Sequence, residues 1–383
     1  MTQQAGPIRL GMVGGGQGAF IGGVHRIAAR MDGHFQLVAG ALSASPAKAR
    51  ESAAALGLAP DRSYDSYEAM AEAEAARPDG IQAVSIVTPN HMHAGPAVAF
   101  LKRGIHVICD KPLSGTMEQA EELARAVGET SALFILTHNY SGYPMVRQAR
   151  AMVEAGELGR IRVVQVEYPQ DWLTEATEET GGNKQAEWRT DPARSGAGGS
   201  IGDIGTHAHH LAAFVTGLEL ESLAADLQSF VPGRRVDDNA HILLRYKDGA
   251  RGMLWSSQVA PGNENALRLR VYGEKGGLEW AQEDPNYLWF TPFGQPKRLL
   301  TRAGSGAGAP ANAVSRTPGG HPEGYLEAFA NIYGEAAGAI RAALAGQRPD
   351  PGLLPGIEAG MAGMRFIDAA LRSSRADAAW TKL

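Results

Sequence analysis

The sequence predicts an α/β chain in two parts: a doubly wound parallel sheet with helices on both faces, then an α+β domain built on a large, mostly antiparallel open sheet. Three observations carry this. Short apolar runs alternate with helix-length segments from Ile8 to about residue 140. The first run ends in a glycine cluster that leads straight into a helical pattern. From about Arg160 the texture changes to half-exposed alternation, and after Leu220 strand follows strand without a helix between them. The division falls into residues 1–140 and 141–383, with the C-terminal helices free to pack back on the first part.

Taken in order, Ile8 to Val13 reads as a strand, Gly14-Gly15-Gly16-Gln17-Gly18-Ala19 as a turn, and Phe20 to Met31 as an amphipathic helix. Gln36 to Leu42 is a strand, Pro46 to Leu56 a helix, Ala83 to Val87 a strand and His93 to Arg103 a helix. Ile105 to Cys109 and Leu133 to Leu136 are strands on either side of a helix from Met117 to Val127. Parallel strands need such crossovers, and ligands of the resulting fold bind beyond the carboxyl ends of the strands. Three polar clusters fall at those ends: Thr88-Pro89-Asn90, Asp110-Lys111-Pro112 and His138-Asn139-Tyr140.

The spacing Gly14-x-Gly16-x-x-Ala19 matches the dinucleotide fingerprint. Gly14 allows the tight turn, Gly16 lets backbone approach a pyrophosphate, and the small Ala19 lets the helix pack on the strand. A lone match is weak, but this one sits between a strand and a helix at the start of an alternating pattern. It predicts a Rossmann-type site for a nicotinamide dinucleotide. Lys111, between a buried strand and a proline, reads either as a solvated surface lysine or as a group that hydrogen-bonds an oxygen gaining or losing a proton. Cys109 reads as a small buried apolar residue.

The second part carries Gly198-Gly199-Ser200-Ile201-Gly202-Asp203-Ile204-Gly205-Thr206-His207-Ala208-His209-His210, glycines running into a helical segment. Asp203 and His207 are spaced to share one helix face as an acid/base pair. In isolation such a pair is more often a cap and a core histidine; the other motifs shift that balance. The three clustered histidines also raise a metal reading, but His209 points away from His207 on a helix and no acidic or sulfur partner has ligand spacing. No metal is expected. Ile161 to Tyr168, Ala240 to Tyr246, Ala250 to Gln258, Leu267 to Tyr272 and Gly277 to Trp280 are strands of a sheet whose free face should bury against another subunit. Ala303 to Gly320, rich in Gly, Ala and Pro, reads as a mobile surface loop, and helices from about Glu323 to Leu344 and Leu354 to Arg372 close the chain.

Composition narrows the partners. The 383 residues are 44% hydrophobic and 20% charged, enough for two domains with a large core. A net charge of -5 without a Lys/Arg block lacks the footprint of a nucleic-acid or anionic-membrane binder. One cysteine permits no internal disulfide, a strand from Ile8 leaves no room for a signal peptide, and no run reaches transmembrane length, so a cytoplasmic location is expected.

Together these motifs resemble the glucose-fructose oxidoreductase/inositol dehydrogenase family, Gfo/Idh/MocA, over essentially the whole chain. The resemblance rests on the glycine fingerprint, Thr88-Pro89-Asn90-His91-x-His93, Asp110-Lys111-Pro112, Trp188-Arg189, and Gly198-Gly199 followed by Asp203-x-x-x-His207. It implies that Lys111, Asp203 and His207 form the catalytic group. It implies a cofactor site of Gly14, Gly16, Gln17, Ala19, Phe20, Ser43, Thr88, Asn90, His93, Asp110, Lys111, Trp188 and Arg189. Tyr140, Tyr143, Trp172, Arg189, His210 and His321 become candidates for recognising substrate hydroxyls, beside Lys111, Asp203 and His207. Asp110 replaces the family's more usual glutamate, and His210 stands where an aspartate is common.

The members it looks most like oxidise a ring hydroxyl of glucose-type sugars or cyclic polyols, such as levoglucosan dehydrogenase and the inositol dehydrogenases. A glycosidase that oxidises its substrate transiently, or a non-catalytic NAD(P)-binding sensor or regulator, stays open as an alternative. At the end of the second strand Ser43 takes the place of the acidic residue that repels NADP, and only Lys48 and Arg50 follow as cations, so NAD is favoured and NADP tolerated. A homodimer or homotetramer through the C-terminal sheet is expected.

Overall fold

The computed structural model describes residues 6–180 and 183–383. The chain divides into two compact units, Met1–Thr137 with Phe329–Met361, and His138–Ala328 with Ala362–Leu383.

The first unit is built on β1 (Ile8–Gly14), β2 (Phe35–Ala41), β3 (Ala83–Val87), β4 (His106–Cys109) and β5 (Phe134–Leu136), all parallel, in the order β2-β1-β3-β4-β5. Every residue of β3 and β4 is buried, the mark of a sheet covered on both faces. The crossovers are α1 (Phe20–Met31), α2 (Pro46–Ala55), α3 (Tyr67–Ala76), α4 (Ala94–Leu101) and α5 (Met117–Gly128). α1 buries Val24, His25, Ala28 and Ala29 while Arg30 in its last turn is exposed, and Gly33 with φ 71° ends it. The sequence reading assigns no element to α3, whose run of Ala and Glu has little apolar periodicity. Its signal is the cap, Ser66 Oγ accepting from the Ala69 amide at 3.2 Å.

The second unit opens with α6 (Pro144–Glu154), β6 (Ile161–Pro169), α7 (Lys184–Arg189) and α8 (Pro192–Ser195). A single π-helical turn, Ile201–Gly205, runs into α9 (Thr206–Thr216). There follow β7 (Leu220–Gln228), β8 (Asn239–Tyr246), β9 (Arg251–Ser257), β10 (Arg268–Gly273), β11 (Gly276–Ala281), β12 (Tyr287–Pro292) and β13 (Arg298–Thr301). The remaining elements are α10 (Ala309–Asn312) and β14 (Thr381–Lys382) in this unit, α11 (Tyr325–Leu344), which from Phe329 onward belongs to the first unit, and α12 (Ile357–Arg375), which from Ala362 onward belongs to the second. Nine strands form one sheet in the order β13-β12-β11-β10-β6-β9-β8-β7-β14, antiparallel except between β6 and β9. Its inner face, with Val164, Val166, Leu254, Leu269, Val271 and Leu278 fully buried, is covered by α6 and α9. On the other face Leu243, Tyr272, Trp289 and Leu299 are exposed beside the Glu167–Arg270 ion pair.

The stretch read as a mobile loop, Ala303 to Gly320, is an organised segment instead. Its physical reason is a fully buried ion pair, Arg302 Nη1 to Glu323 Oε1 at 3.0 Å. Glu323 Oε1 also accepts from the backbone amides of Arg316 and Thr317, each at 2.6 Å, and Arg302 donates to the Thr317 and Pro318 carbonyls. α10 packs on α6, with Gln148 Oε1 accepting from the Gly308 amide at 2.7 Å. No described helix is long and apolar enough to cross a membrane.

Candidate functional site

In the first unit, β1 runs into Gly14 and Gly15 at φ 79° and 72°, the left-handed region that a side chain resists. The closest helix-to-strand approach falls on Gly22 rather than Ala19: a Cβ on Gly22 would lie 2.4 Å from the Gly15 Cα, while Ala19 is only half-buried at the helix N-cap. Gly16 is crowded by the protein itself, since a Cβ there would lie 2.7 Å from the Leu42 carbonyl oxygen. The Gly16 amide donates to that oxygen at 3.1 Å, and the Gln17 amide to Ser52 Oγ at 3.1 Å, so the turn is tied to β2 and α2. No side chain caps α1 and no acid occupies its first turn, which suits a pyrophosphate at its positive end, and Phe20 beside it is exposed.

Ser43 Oγ accepts from the Ser45 amide at 3.1 Å in the turn before α2. Lys48 is exposed, and Arg50 pairs with Asp65 at 3.2 Å on the surface. Thr88 donates to the Met92 carbonyl, and Asn90 is buried. His93 is buried as well, its Nδ1 facing the Pro112 carbonyl at 2.6 Å and its Nε2 the Thr88 carbonyl at 2.8 Å, so it clamps two loops together. Burial lowers its pKa, whereas two carbonyl acceptors favour N–H on both nitrogens and work in the opposite direction.

Lys111 is half-buried and its amide donates to Asp110 Oδ1 at 3.0 Å, an oxygen that also accepts from Thr137 Oγ1 at 3.0 Å. Burial would raise the Asp110 pKa, but His25, Lys111 and His93 outweigh it and hold the carboxyl at about 2. Asp110 is therefore a fixed negative charge next to Lys111. Cys109 is fully buried and its thiol is pushed well up by that burial, which rules out a thiolate nucleophile.

The second unit holds a different kind of centre. Asp237, buried at the start of β8, accepts from the amides of Gly199 at 2.7 Å and Ile201 at 2.8 Å, and so anchors the glycine turn. Burial pushes its pKa up to about 6 despite these bonds. Gly199 must lack a side chain, because its Cβ would meet the Asp237 carbonyl oxygen at 2.1 Å. Asp203 lies in the π-turn and not, as the four-residue spacing suggests, in the first turn of a regular α-helix. Its Oδ2 accepts from Arg189 Nε at 3.1 Å and from Gln258 Nε2 at 2.9 Å. The Arg189 guanidinium stacks over Trp188 at 4.3 Å and lies 5.9 Å from the Trp172 ring, so Trp172, Trp188, Arg189 and Asp203 are brought together.

His207, buried, lies edge-on to Tyr140 with ring centroids 4.8 Å apart, and to His138 at 5.9 Å. Tyr140 donates to Tyr168 at 2.5 Å, Tyr168 donates to Asn265 Oδ1 at 2.7 Å, and Gln170 Nε2 donates to the same oxygen at 2.7 Å. Asn265 in turn donates to Gln282, which donates to the Tyr143 hydroxyl at 3.3 Å. Burial raises the pKa of Tyr140, Tyr143 and Tyr168, so all three hydroxyls stay neutral. The result is a wall of neutral hydroxyls and amides around one imidazole.

Two further predicted residues are not in contact with His207 itself. His210 stacks flat on His138 at 3.9 Å, with burial driving its pKa down to about 3. The His321 side chain is exposed in the turn after the Arg302 clamp, which its carbonyl caps. His209 packs against Phe366 at 4.5 Å. Tyr168, Gln170, Asp237, Gln258 and Asn265 escape the sequence reading. The one signal available is that Tyr168 and Gln258 sit at the carboxyl ends of the adjacent parallel strands β6 and β9. Among the described residues no group of three His, Cys, Asp or Glu is placed to hold a metal.

Residues 8–138 match the model of the Gfo/Idh/MocA oxidoreductase family, NAD-binding Rossmann fold, and residues 146–279 match that of the Gfo/Idh/MocA C-terminal domain. An oxidoreductase from Sinorhizobium meliloti of known structure is 59% identical, with TM-score 0.89 over 99% of this chain and 100% of that one. An inositol dehydrogenase homologue from Azotobacter vinelandii, solved with NADH and myo-inositol, is 38% identical, with TM-score 0.90 over 99% and 98%. Levoglucosan dehydrogenase of Pseudarthrobacter phenanthrenivorans is 28% identical over 72% of this chain and 74% of its own.

Proposed function

The chain belongs to the Gfo/Idh/MocA family of NAD(P)-binding oxidoreductases acting on sugar and polyol CH–OH groups, and from that premise we propose that it oxidises a ring hydroxyl of an uncharged cyclic polyol, sugar or anhydrosugar. The observation that carries this reading is the neutral wall of Tyr140, Tyr168, Asn265 and Gln170 beside the His207 imidazole. Hydroxyls and amides donate and accept alike, as polyol recognition requires, and the Arg189 charge there is already matched by Asp203. The relatives solved with myo-inositol and named for levoglucosan favour the same substrate class.

His207 takes the proton of the reacting hydroxyl, and Asp203, held by Arg189 and Gln258, orients the imidazole. Lys111 donates to the oxygen as it gains negative charge, with its own backbone fixed by Asp110. The nicotinamide, when bound, supplies the hydride acceptor. NAD is the favoured form and NADP is accepted within about tenfold in kcat/KM, because Ser43 does not repel a 2′-phosphate. The pairing of Arg50 with Asp65 weakens it as a phosphate clamp. We further propose that the exposed sheet face bearing Leu243, Tyr272, Trp289 and Leu299 pairs with a second copy, giving a homodimer or homotetramer. A single buried cysteine suits a cytoplasmic location.

The test is a panel of inositols, sugars and anhydrosugars with each cofactor, followed by the absorbance of the reduced nicotinamide. Net reduction with a free polyol or sugar is expected. Release of an aglycone without net reduction would make the enzyme a glycosidase, and cofactor binding with neither outcome would make it a sensor.

A further inference from the structure

We propose that His25 is a positioning residue for Lys111, acting through the Asp110 carboxylate that it faces, with its ring held by Tyr333 and Ser85. The inference rests on the role given to Lys111 above.

His25 projects from α1 into the core of the first unit and is 0% exposed. Its Nδ1 shares a 2.8 Å hydrogen bond with the Tyr333 hydroxyl, which shares a 2.6 Å bond with Ser85 Oγ from the middle of β3. Its Nε2 stands 3.8 Å from Asp110 Oδ1, close enough for ion pairing although too long for a direct hydrogen bond. Phe329, at 5.1 Å between ring centroids, closes the side of the imidazole. Ser85 and Tyr333 are themselves buried to within 1% of complete enclosure.

Donors and acceptors can run in one direction along this line: Ser85 gives its hydrogen to Tyr333 and Tyr333 to His25 Nδ1, which leaves a hydrogen on Nε2, the nitrogen that stands 3.8 Å from Asp110 Oδ1. Asp110 Oδ1 is then approached by three groups, the His25 imidazole, the Thr137 hydroxyl and the Lys111 amide, with Lys111 the charged neighbour of the carboxylate. Packing alone does not require this. A leucine at position 25 would meet Phe329 and the Tyr333 ring without demanding any polar partner, and would leave the Ser85–Tyr333 bond intact. What it would remove is the polar group that faces the carboxylate against which the Lys111 backbone is set. Tyr333 comes from the far end of the sequence, so the line ties α11 of this unit to the lysine.

A double-mutant cycle separates positioning from packing. His25→Leu should lower kcat roughly tenfold to a hundredfold while KM moves by less than about threefold. In an Asp110→Asn background the same substitution should change kcat by less than about twofold, because the carboxylate through which it acts is gone. Equal losses in both backgrounds would overturn the proposal, as would an unchanged kcat accompanied by a lower Tm. Should His25→Leu fail to fold, Tyr333→Phe, which removes one hydroxyl and keeps the ring, carries the same cycle. The methyl signal of Lys111 supplies a readout without turnover: in carbon-13 NMR of the reductively methylated protein, with Lys111→Arg assigning the signal, His25→Leu should displace it only when Asp110 is present. A displaced signal in a protein that oxidises no polyol would refute the functional reading and leave this inference standing; an undisplaced one would refute the inference whatever the activity.

Discussion

His25 and His209 are both buried histidines on helices, one in each unit, and they are kept by opposite chemistry. His25 lies between a tyrosine hydroxyl and a carboxylate, in a centre that holds the charges of Asp110 and Lys111. His209 lies flat on Phe366, and burial alone lowers its pKa to about 4. The same contrast runs through the surroundings. The first unit sets a buried carboxylate beside a half-buried lysine, whereas the second places His207 among neutral tyrosine hydroxyls, with the charges of Asp203 and Arg189 matched against each other. An oxidation of an uncharged alcohol asks for both, a fixed positive charge for an oxygen that becomes negative and a neutral lining for the hydroxyls that do not react.

The largest effect that would sharpen this contrast comes from removing one chemical group from each centre. Lys111→Ala and His207→Ala should each lower kcat by at least roughly a hundredfold, while cofactor binding, read by fluorescence titration, persists. Near wild-type turnover in either variant would break the assignment for that unit.

Acid should then separate the units. A histidine whose folded pKa lies below its unfolded value takes up protons more readily once unfolded, so stability falls as the pH drops from about 6.5 towards the folded value. For His209, with a folded value of about 4, the loss is on the order of 3 kcal/mol by pH 4. His210 adds in the same direction down to about 3, while Asp237, raised to about 6, opposes them between about 6 and 3.8. Asp110, held at about 2, contributes stability above the unfolded carboxylate range and surrenders it only in strong acid. Thermal melts at neutral and mildly acid pH should therefore show a drop in Tm that His209→Gln reduces. An identical drop in the variant would place the acid sensitivity outside this histidine.

Smaller effects follow. Tyr140→Phe removes the donor to Tyr168 and should raise KM for the polyol roughly threefold to tenfold, about 1 kcal/mol, with less change in kcat. A fall in kcat alone would mean that the hydroxyl serves the chemistry and not recognition. Ser43→Asp should leave kcat/KM with NAD within about twofold and reduce that with NADP, sharpening the preference. A wild-type preference for NADP beyond roughly a hundredfold would show that Lys48 or Arg50 clamps the phosphate after all.

How far the sequence disclosed all this depended on the range of the interactions. α1 was legible to the residue, because its apolar face, the glycine turn before it and Gly33 after it are local signals. Both α3 and the π-turn were hidden, the first by a weak apolar period and the second because an extra residue in a turn leaves no mark on composition. Asn265 lies 97 residues from the Tyr168 hydroxyl that donates to it, and Gln258 lies 55 from Asp203, so only the folded sheet brings them together. The segment from Ala303 to Gly320 misled for a related reason: its glycines and prolines are local, while the buried Arg302–Glu323 pair that organises it brackets it from outside.

The line from Ser85 through Tyr333 to His25 also sets a timetable for biosynthesis. A ribosome that has released residue 140 has delivered all five strands of the first sheet, yet Tyr333 is still nearly two hundred residues from being made. Until it arrives, Ser85 and His25 lack the hydroxyl that joins them, and the nascent sheet has polar atoms in its core that only water can serve. The amino-terminal part of the chain is thus the first to be synthesised and one of the last to be completed.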